Sequence, residues 1–342
     1  MPTLGDIMSA RKALDGYVYE TPIIASNALR GKTRHESVML KCENLQRTGS
    51  YHIRGMTYRV IRAKEADLGI NNFITRSSGN GGSALACAAH NFQSKAHVIV
   101  PEDTNALITR SIHHYNGAFY YCKPGLKERM EMEARLLREL SRPAGKRQNH
   151  AVVINPYNDD AVIAGHGTTG IELMLQTDCA MDCVVVPVGG GALLSGVAIA
   201  VKGMKPHVGV FAAELDAPPN RYTDFKRGES LAAGRQRQGL PYNEAAAKNN
   251  KHGIRTPLTD LTTGYIDRYV DGVIHVTLEE MKYAFRYVYE RCKLVVDTNA
   301  AIAVAAVLSC PPALNNYRRV CIVLSGGNVD LNDIPKLAVS RL

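Results

Sequence analysis

Phe73-Ile74-Thr75-Arg76-Ser77-Ser78-Gly79-Asn80-Gly81-Gly82 runs from a short β-rich segment into a turn of small residues, and a helical stretch follows. The pattern recurs twice. Gly189-Gly190-Gly191-Ala192 follows Val184–Val188, and Ser325-Gly326-Gly327-Asn328 follows Val320–Leu324. In open parallel sheets, ligands sit at this end of the strands, where helix N-termini present N–H groups and the positive end of the helix dipole. One glycine-rich turn is weak evidence, since glycine at a strand end is often only a tight turn. Three at the same edge of a sheet argue for a polyanion or carboxylate site.

Working outward, short β-rich runs alternate with segments of helical period, the pattern of a parallel sheet covered by helices on both faces. The strand candidates are Val38–Cys42, Phe73–Arg76, Ala96–Val100, Phe119–Cys122, Ala151–Ile154, Val184–Val188, Val208–Ala213, Gly272–Val276 and Val320–Leu324; Leu126–Leu140, Asp160–Gln176 and Leu278–Arg291 read as helices. The expected fold is α/β, with two lobes of doubly wound parallel sheet: 342 residues exceed what one core supports. The larger lobe is expected from residues 1–66 and 151–342 and the smaller from 73–150, with the cleft between them. Ser141–His150, polar with Pro143 and Gly145, reads as a crossing between lobes, and Arg227–Thr256, where no period is sustained, as a long surface excursion.

Composition narrows the function classes. Apolar residues make up 45% of the chain, which excludes a mainly disordered or fibrous protein. The longest apolar runs, Cys183–Val188 and Ala300–Leu308, are too short to cross a bilayer, and Met1–Lys12 has no apolar signal core, so a soluble cytoplasmic protein with no membrane partner is expected. Lys+Arg minus Asp+Glu is 41 − 32 = +9, but the charge is dispersed and its densest run, Arg135–Arg147, includes acids. No nucleic-acid motif accompanies it, so the excess favours small anionic ligands in a general way. The eight cysteines lack metal-site spacing and read as reduced core residues, Cys179 and Cys183 included.

Beyond the loops, the segment Glu43-Asn44-Leu45-Gln46-Arg47-Thr48-Gly49-Ser50-Tyr51-His52-Ile53-Arg54-Gly55 resembles the Ser-Phe-Lys-x-Arg-Gly signature of fold-type II pyridoxal-phosphate (PLP) enzymes, in the threonine dehydratase and serine racemase branch. The Ser77–Asn80 loop, the glycine loop after Val-Pro-Val, Ala161–Gly165 and Val323–Leu331 match that family in order and spacing, so the similarity runs from about Thr21 to Leu331. The resemblance implies a tryptophan synthase β-like fold, a small amino-acid-like substrate and a homodimer. It implies that Gly189, Gly190, Gly191 and Ala192 cradle the cofactor phosphate, that Asn80 bonds the ring 3′-oxygen and that Ser325 meets the pyridine nitrogen. Ser77, Ser78, Gly79 and Asn80 would take the substrate carboxylate. Ser78 matches the second acid/base group of the racemases, and Glu214 one ligand of a cation site found in some relatives.

The lysine position of the signature is occupied by His52. A lysine amine condenses with the PLP aldehyde and then shuttles the proton at the substrate α-carbon; imidazole forms no stable imine, so His52 can replace only the second task. A positioned histidine commonly contributes about 10²–10⁴-fold as a general acid or base. As a bland alternative, an isolated histidine after an aromatic residue fills space. Further departures cluster at the same place: Gly81-Gly82 follow Asn80 where the family has a bulky or polar residue, Ala192 replaces a glycine, and Asp297-Thr298 replaces Glu-Pro. The Ala-Asp-Gly segment is not recognisable around Ala245–Asn250, and Glu214 is accompanied by Asn220 where an acid is expected, a poor cage for a hard cation.

His113-His114 and His166 read as surface or loop histidines, and Tyr283 and Tyr287, at i and i+4, as packing residues. Three functions compete. A diverged lyase or isomerase would act on an amino-acid-like or phosphorylated substrate by elimination or proton transfer without a lysine–PLP bond. A dehydratase or racemase would hold PLP non-covalently. A pseudoenzyme would bind or regulate. The first is favoured, because the departures include groups beside the cofactor ring; a lysine from elsewhere, such as Lys41, would overturn it.

Overall fold

A computed structural model describes residues 1–123, 125–141, 150–216 and 258–339. The N-terminal part comprises α1 (Leu4–Ala13), β1 (Ile23–Ala25), α2 (Asn27–Arg30), β2 (Ser37–Lys41) and α3 (His52–Ala66). Then β and α alternate: β3 (Ile70–Arg76), α4 (Asn80–Asn91), β4 (Lys95–Pro101), α5 (Ala106–His114), β5 (Ala118–Cys122), α6 (Leu126–Leu140), β6 (His150–Val153), α7 (Asp160–Gln176), β7 (Cys183–Pro187) and α8 (Ala192–Met204). β8 (Gly209–Leu215), β9 (Gly272–Val276) and β10 (Arg319–Val323) complete the strands, with helices Asp260–Tyr269, Leu278–Tyr287 and Thr298–Leu308 between them.

Two sheets form. One has the order β1-β2-β10-β7-β8-β9, parallel except for β1; the other has the order β5-β4-β3-β6 and is parallel throughout. The α/β doubly wound class expected from the sequence is the class observed. β7 is buried along its whole length, as a strand covered on both faces should be. β6 pairs with β3, so the smaller sheet reaches Val153 and a lobe boundary at 150/151 would cut through a strand. β1 has no counterpart among the sequence-based strands: three residues with one face exposed carry no readable alternation.

Two of the glycine loops lie where a strand hands over to a helix, β3 to α4 and β7 to α8; the third follows β10 but opens no helix, the chain staying irregular until the short helix Ile334–Leu337. The helix expected over Leu278–Arg291 is α-helical only to Tyr287 and then widens into a π-turn, Val288–Cys292, closed by Lys293 in the left-handed region. The Arg227–Thr256 excursion, Ala245–Asn250, Asn220 and most of the Ser141–His150 crossing lie outside the described residues.

A buried ionic cluster anchors α3. Arg54 bonds both oxygens of Glu43 (2.8 and 2.8 Å) and both of Glu172 (2.6 and 2.7 Å), and Lys41 Nζ bonds Glu172 (2.7 Å) and the Thr21 carbonyl (2.8 Å). Two cations and two anions cancel, so the charges are tolerated at almost zero exposure because each is paired and hydrogen-bonded. The cluster joins β2, α3 and α7 directly behind the first turn of α3.

Candidate active site

His52 is the first residue of α3, and its Nδ1 lies 3.3 Å from the Oγ of fully buried Ser50. Ser50 is pinned by an isolated bridge to Gly326, while the Tyr51 N–H donates to the Ser325 carbonyl at 3.1 Å, so the start of α3 is laced to the loop after β10. The Tyr51 ring packs on His52 (centroids 4.0 Å apart) and meets His166 edge-on (4.7 Å). On its other side His52 faces the loop after β3: a Cβ built on Gly81 would stand 3.6 Å from His52 Cδ2 and 3.0 Å from Ser77 Oγ. The small residue at 81 therefore makes room for the imidazole. His52 keeps part of its surface open, yet the protein packed around it disfavours the charged form and pushes its pKa down to about 3. The direction means a neutral ring at neutral pH.

Gly79 caps α4 without a side-chain hydrogen bond, leaving the first N–H groups of that helix for a ligand. Ser77 faces its own loop: its Oγ accepts from the Gly82 N–H at 3.0 Å, and its backbone N–H donates to the Ile99 carbonyl. It organises the loop, while Ser78, Gly79 and Asn80 line a cavity of about 60 Å³ between the two sheets. Asn80 is engaged on both ends of its amide, donating to Asp297 Oδ2 (3.2 Å) and accepting from Asn328 Nδ2 (2.9 Å). Asp297 also caps helix Thr298–Leu308 through the Ala300 N–H (2.9 Å), and burial pushes its pKa up. Gly190, Ser325 and His52, expected in one cavity with Asn80, are not among the residues that line it; His52 stands instead against Gly81 and Ser77. The Ser325-Gly326 turn nevertheless adjoins the cavity: a Cβ on Gly326 would fall 2.4 Å from Asp297 Oδ2 and 3.2 Å from Asn80 Nδ2.

Two features of the structure fit PLP. Ser325 Oγ is buried with no hydrogen-bond partner among the described residues, which suits a pyridine nitrogen. The N-terminus of α8 has no side-chain cap, and Gly191 takes φ 86°, a left-handed turn that turns backbone N–H groups toward an anion. Gly190 is packed against the Tyr157 ring, which a Cβ would approach to 2.6 Å, and Ala192 starts α8 at 4% exposure.

The model of the family described as "Pyridoxal-phosphate dependent enzyme" matches residues 14–326. The chain belongs to the pyridoxal-phosphate-dependent enzyme family. It is 35% identical to a serine racemase from Dictyostelium discoideum over 339 residues, 98% of this chain and 97% of that one. It is 32% identical to an L-threonine ammonia-lyase from Thermotoga maritima, over 98% of this chain and 78% of that protein. The solved structure of maize serine racemase superposes with a TM-score of 0.83 at 27% identity, covering 98% and 96% of the two chains.

Sequence reasoning misplaced His166. It is fully buried on α7, accepts the Gly55 N–H at Nδ1 (3.2 Å) and stands 6.1 Å from the His52 ring. Gly55 and Gly165 let α3 and α7 approach closely: a Cβ on Gly165 would stand 2.7 Å from the Arg54 carbonyl. Those glycines were the available signal. His113 and His114 are exposed at the end of α5, and Tyr287 packs by donating to the Ala28 carbonyl. Lys41 is held in the ionic cluster, away from the aromatic trio. Glu214 Oε2 lies 3.7 Å from His275 Nδ1, and among the described residues no group of three or more His, Cys, Asp or Glu is arranged to hold a metal. All eight cysteines are free. No described helix is long and apolar enough to cross a membrane.

Proposed function

We propose that this chain is an amino-acid-processing enzyme of the dehydratase or racemase kind that holds PLP by phosphate and ring contacts alone and uses His52 to move the proton at the substrate α-carbon. The carrying observation is the position of His52, at the head of α3 within the lysine-like signature and beside the loop that presents α4. When bound, PLP supplies an electron sink for negative charge developing at an amino-acid α-carbon. The α4 N-terminus and Ser78 receive the carboxylate, and the α8 N-terminus the phosphate. Ser325 bonds the ring nitrogen. His52, neutral at neutral pH, accepts or returns a proton, and Ser50 holds its far nitrogen. The depressed pKa makes His52 a weak base, so turnover is expected well below the ordinary range of about 1–10³ s⁻¹.

The sequence departures favour a site without PLP; the unpartnered Ser325 Oγ and the uncapped α8 favour retention of it, and we adopt the latter. Calorimetric titration of the purified chain with PLP tests this. Wild-type protein is expected to bind, and Ser325→Ala to bind several-fold more weakly. No binding by the wild type, or an unchanged affinity in Ser325→Ala, would overturn the cofactor assignment.

A further inference from the structure

The cavity beside Asn80 has a one-sided charge. Its wall from the smaller sheet is polar and apolar: Ser78, Asn80 and Asn105, with Leu107 and Ile108. The opposite wall contributes Asp297, Asp330 and Asp333, and among the described lining residues there is no lysine, arginine or histidine. Among the described residues the Asp330 carboxylate accepts from Asn332, and Asp333 has Lys336 at 3.9 Å, a lysine whose side chain is 81% exposed and so offsets little. Asp297 is the separate and stronger observation. The residue is only 7% exposed, and its side chain forms no ion pair among the described residues; its bonds come from neutral donors, Asn80 Nδ2 and the Ala300 and Asn299 N–H groups. Elsewhere the fold pairs its buried carboxylates with cations, as Glu43 and Glu172 show. A buried carboxylate that lacks a counter-ion and lines a cavity leaves room for a ligand to supply one.

We infer that the site selects amino acids bearing a cationic side chain, the carboxylate held at the α4 N-terminus and the side-chain cation facing Asp297, Asp330 and Asp333. The inference rests on the proposed amino-acid site and names its substrate class. A neutral hydroxyl side chain fits without the charge contact, and a second carboxylate meets like charge. One favourable charge contact of ordinary strength is worth about tenfold in affinity.

The test measures binding of L-2,3-diaminopropionate, L-serine and L-aspartate to the PLP-supplemented protein at pH 7.5, in low and in high salt. Diaminopropionate is expected to bind at least tenfold more tightly than serine and aspartate at least tenfold more weakly, with both gaps shrinking in salt. In Asp330→Asn and Asp333→Asn, exposed-side changes that spare the core, the gap between diaminopropionate and serine is expected to narrow. Serine or aspartate binding as tightly as diaminopropionate, or gaps indifferent to both substitutions, would sink the charge assignment while leaving the amino-acid site standing. Failure of all three to bind would overturn both.

Discussion

Removing Glu172 should damage the protein far more than its single buried carboxylate suggests. Glu172 accepts from Arg54 Nη1 at 2.6 Å, from Arg54 Nη2 at 2.7 Å and from Lys41 Nζ at 2.7 Å, with both donor side chains at 0% exposure. Glu172→Ala leaves Arg54 with Glu43, but strands Lys41 among the Thr21 carbonyl and Gln176 and leaves one buried positive charge without compensation. Breaking a buried pair from one side costs about 3–5 kcal/mol. With an unfolding entropy of about 2.1 cal/mol/K per residue, a chain of this length loses roughly 4–7 °C in Tm. Because the cluster lies behind the first turn of α3, His52 should lose its fixed position as well, so PLP affinity should fall with stability. Urea unfolding and calorimetry measure the loss. A ΔΔG below about 1 kcal/mol would show that water or a shifted Lys41 relieves the charge and that the cluster does not anchor α3.

Stability should also fall in mild acid. Burial lowers the pKa of His52 to about 3 and of His97 to about 4, and lowers that of His166 as well, whereas an unfolded histidine titrates near 6.5. The unfolded chain therefore binds more protons between those values, and the contribution, complete above about pH 6.5, drains away as pH falls toward 4; Asp297, with its raised pKa, works weakly the other way. A urea midpoint unchanged between pH 7 and pH 5 would contradict this. Gly55→Ala should cost about 3 kcal/mol or prevent folding, because the new Cβ would lie 2.4 Å from His166 Cε1 and 2.6 Å from the Val162 carbonyl; normal thermal stability in that variant would refute the packing of α3 on α7.

The fold was legible because its signals are local and repeated. All nine sequence-based strands fall on observed ones, and Leu126–Leu140 and Asp160–Gln176 are helices over those same residues. Glycine loops that follow strands reveal themselves by spacing, but spacing does not say which loops share a cavity: of Asn80, Gly190 and Ser325, expected to face a single one, Asn80 alone lines the cavity between the sheets. What escaped depends on partners far apart in the chain. The Lys41–Glu172 pair spans 131 residues, and Asp297 reaches Asn80 over 217, distances at which no residue pattern announces a contact. His166 reads as a surface or loop histidine when only metal-ligand spacing is asked of it, a test that says nothing of burial. β1 was missed because an edge strand of three residues has no period to read.

The substitution at position 52 is the point on which the account turns, and borohydride reduction followed by peptide mapping tests it most directly. PLP-loaded wild-type protein, reduced and digested, should yield no lysine peptide carrying the cofactor. His52→Lys, treated identically, should gain visible absorbance and a reduced adduct on the peptide that contains residue 52. A stoichiometric adduct on any lysine of the wild-type chain would show that the covalent function survives elsewhere, and the role given to His52 would fall with it.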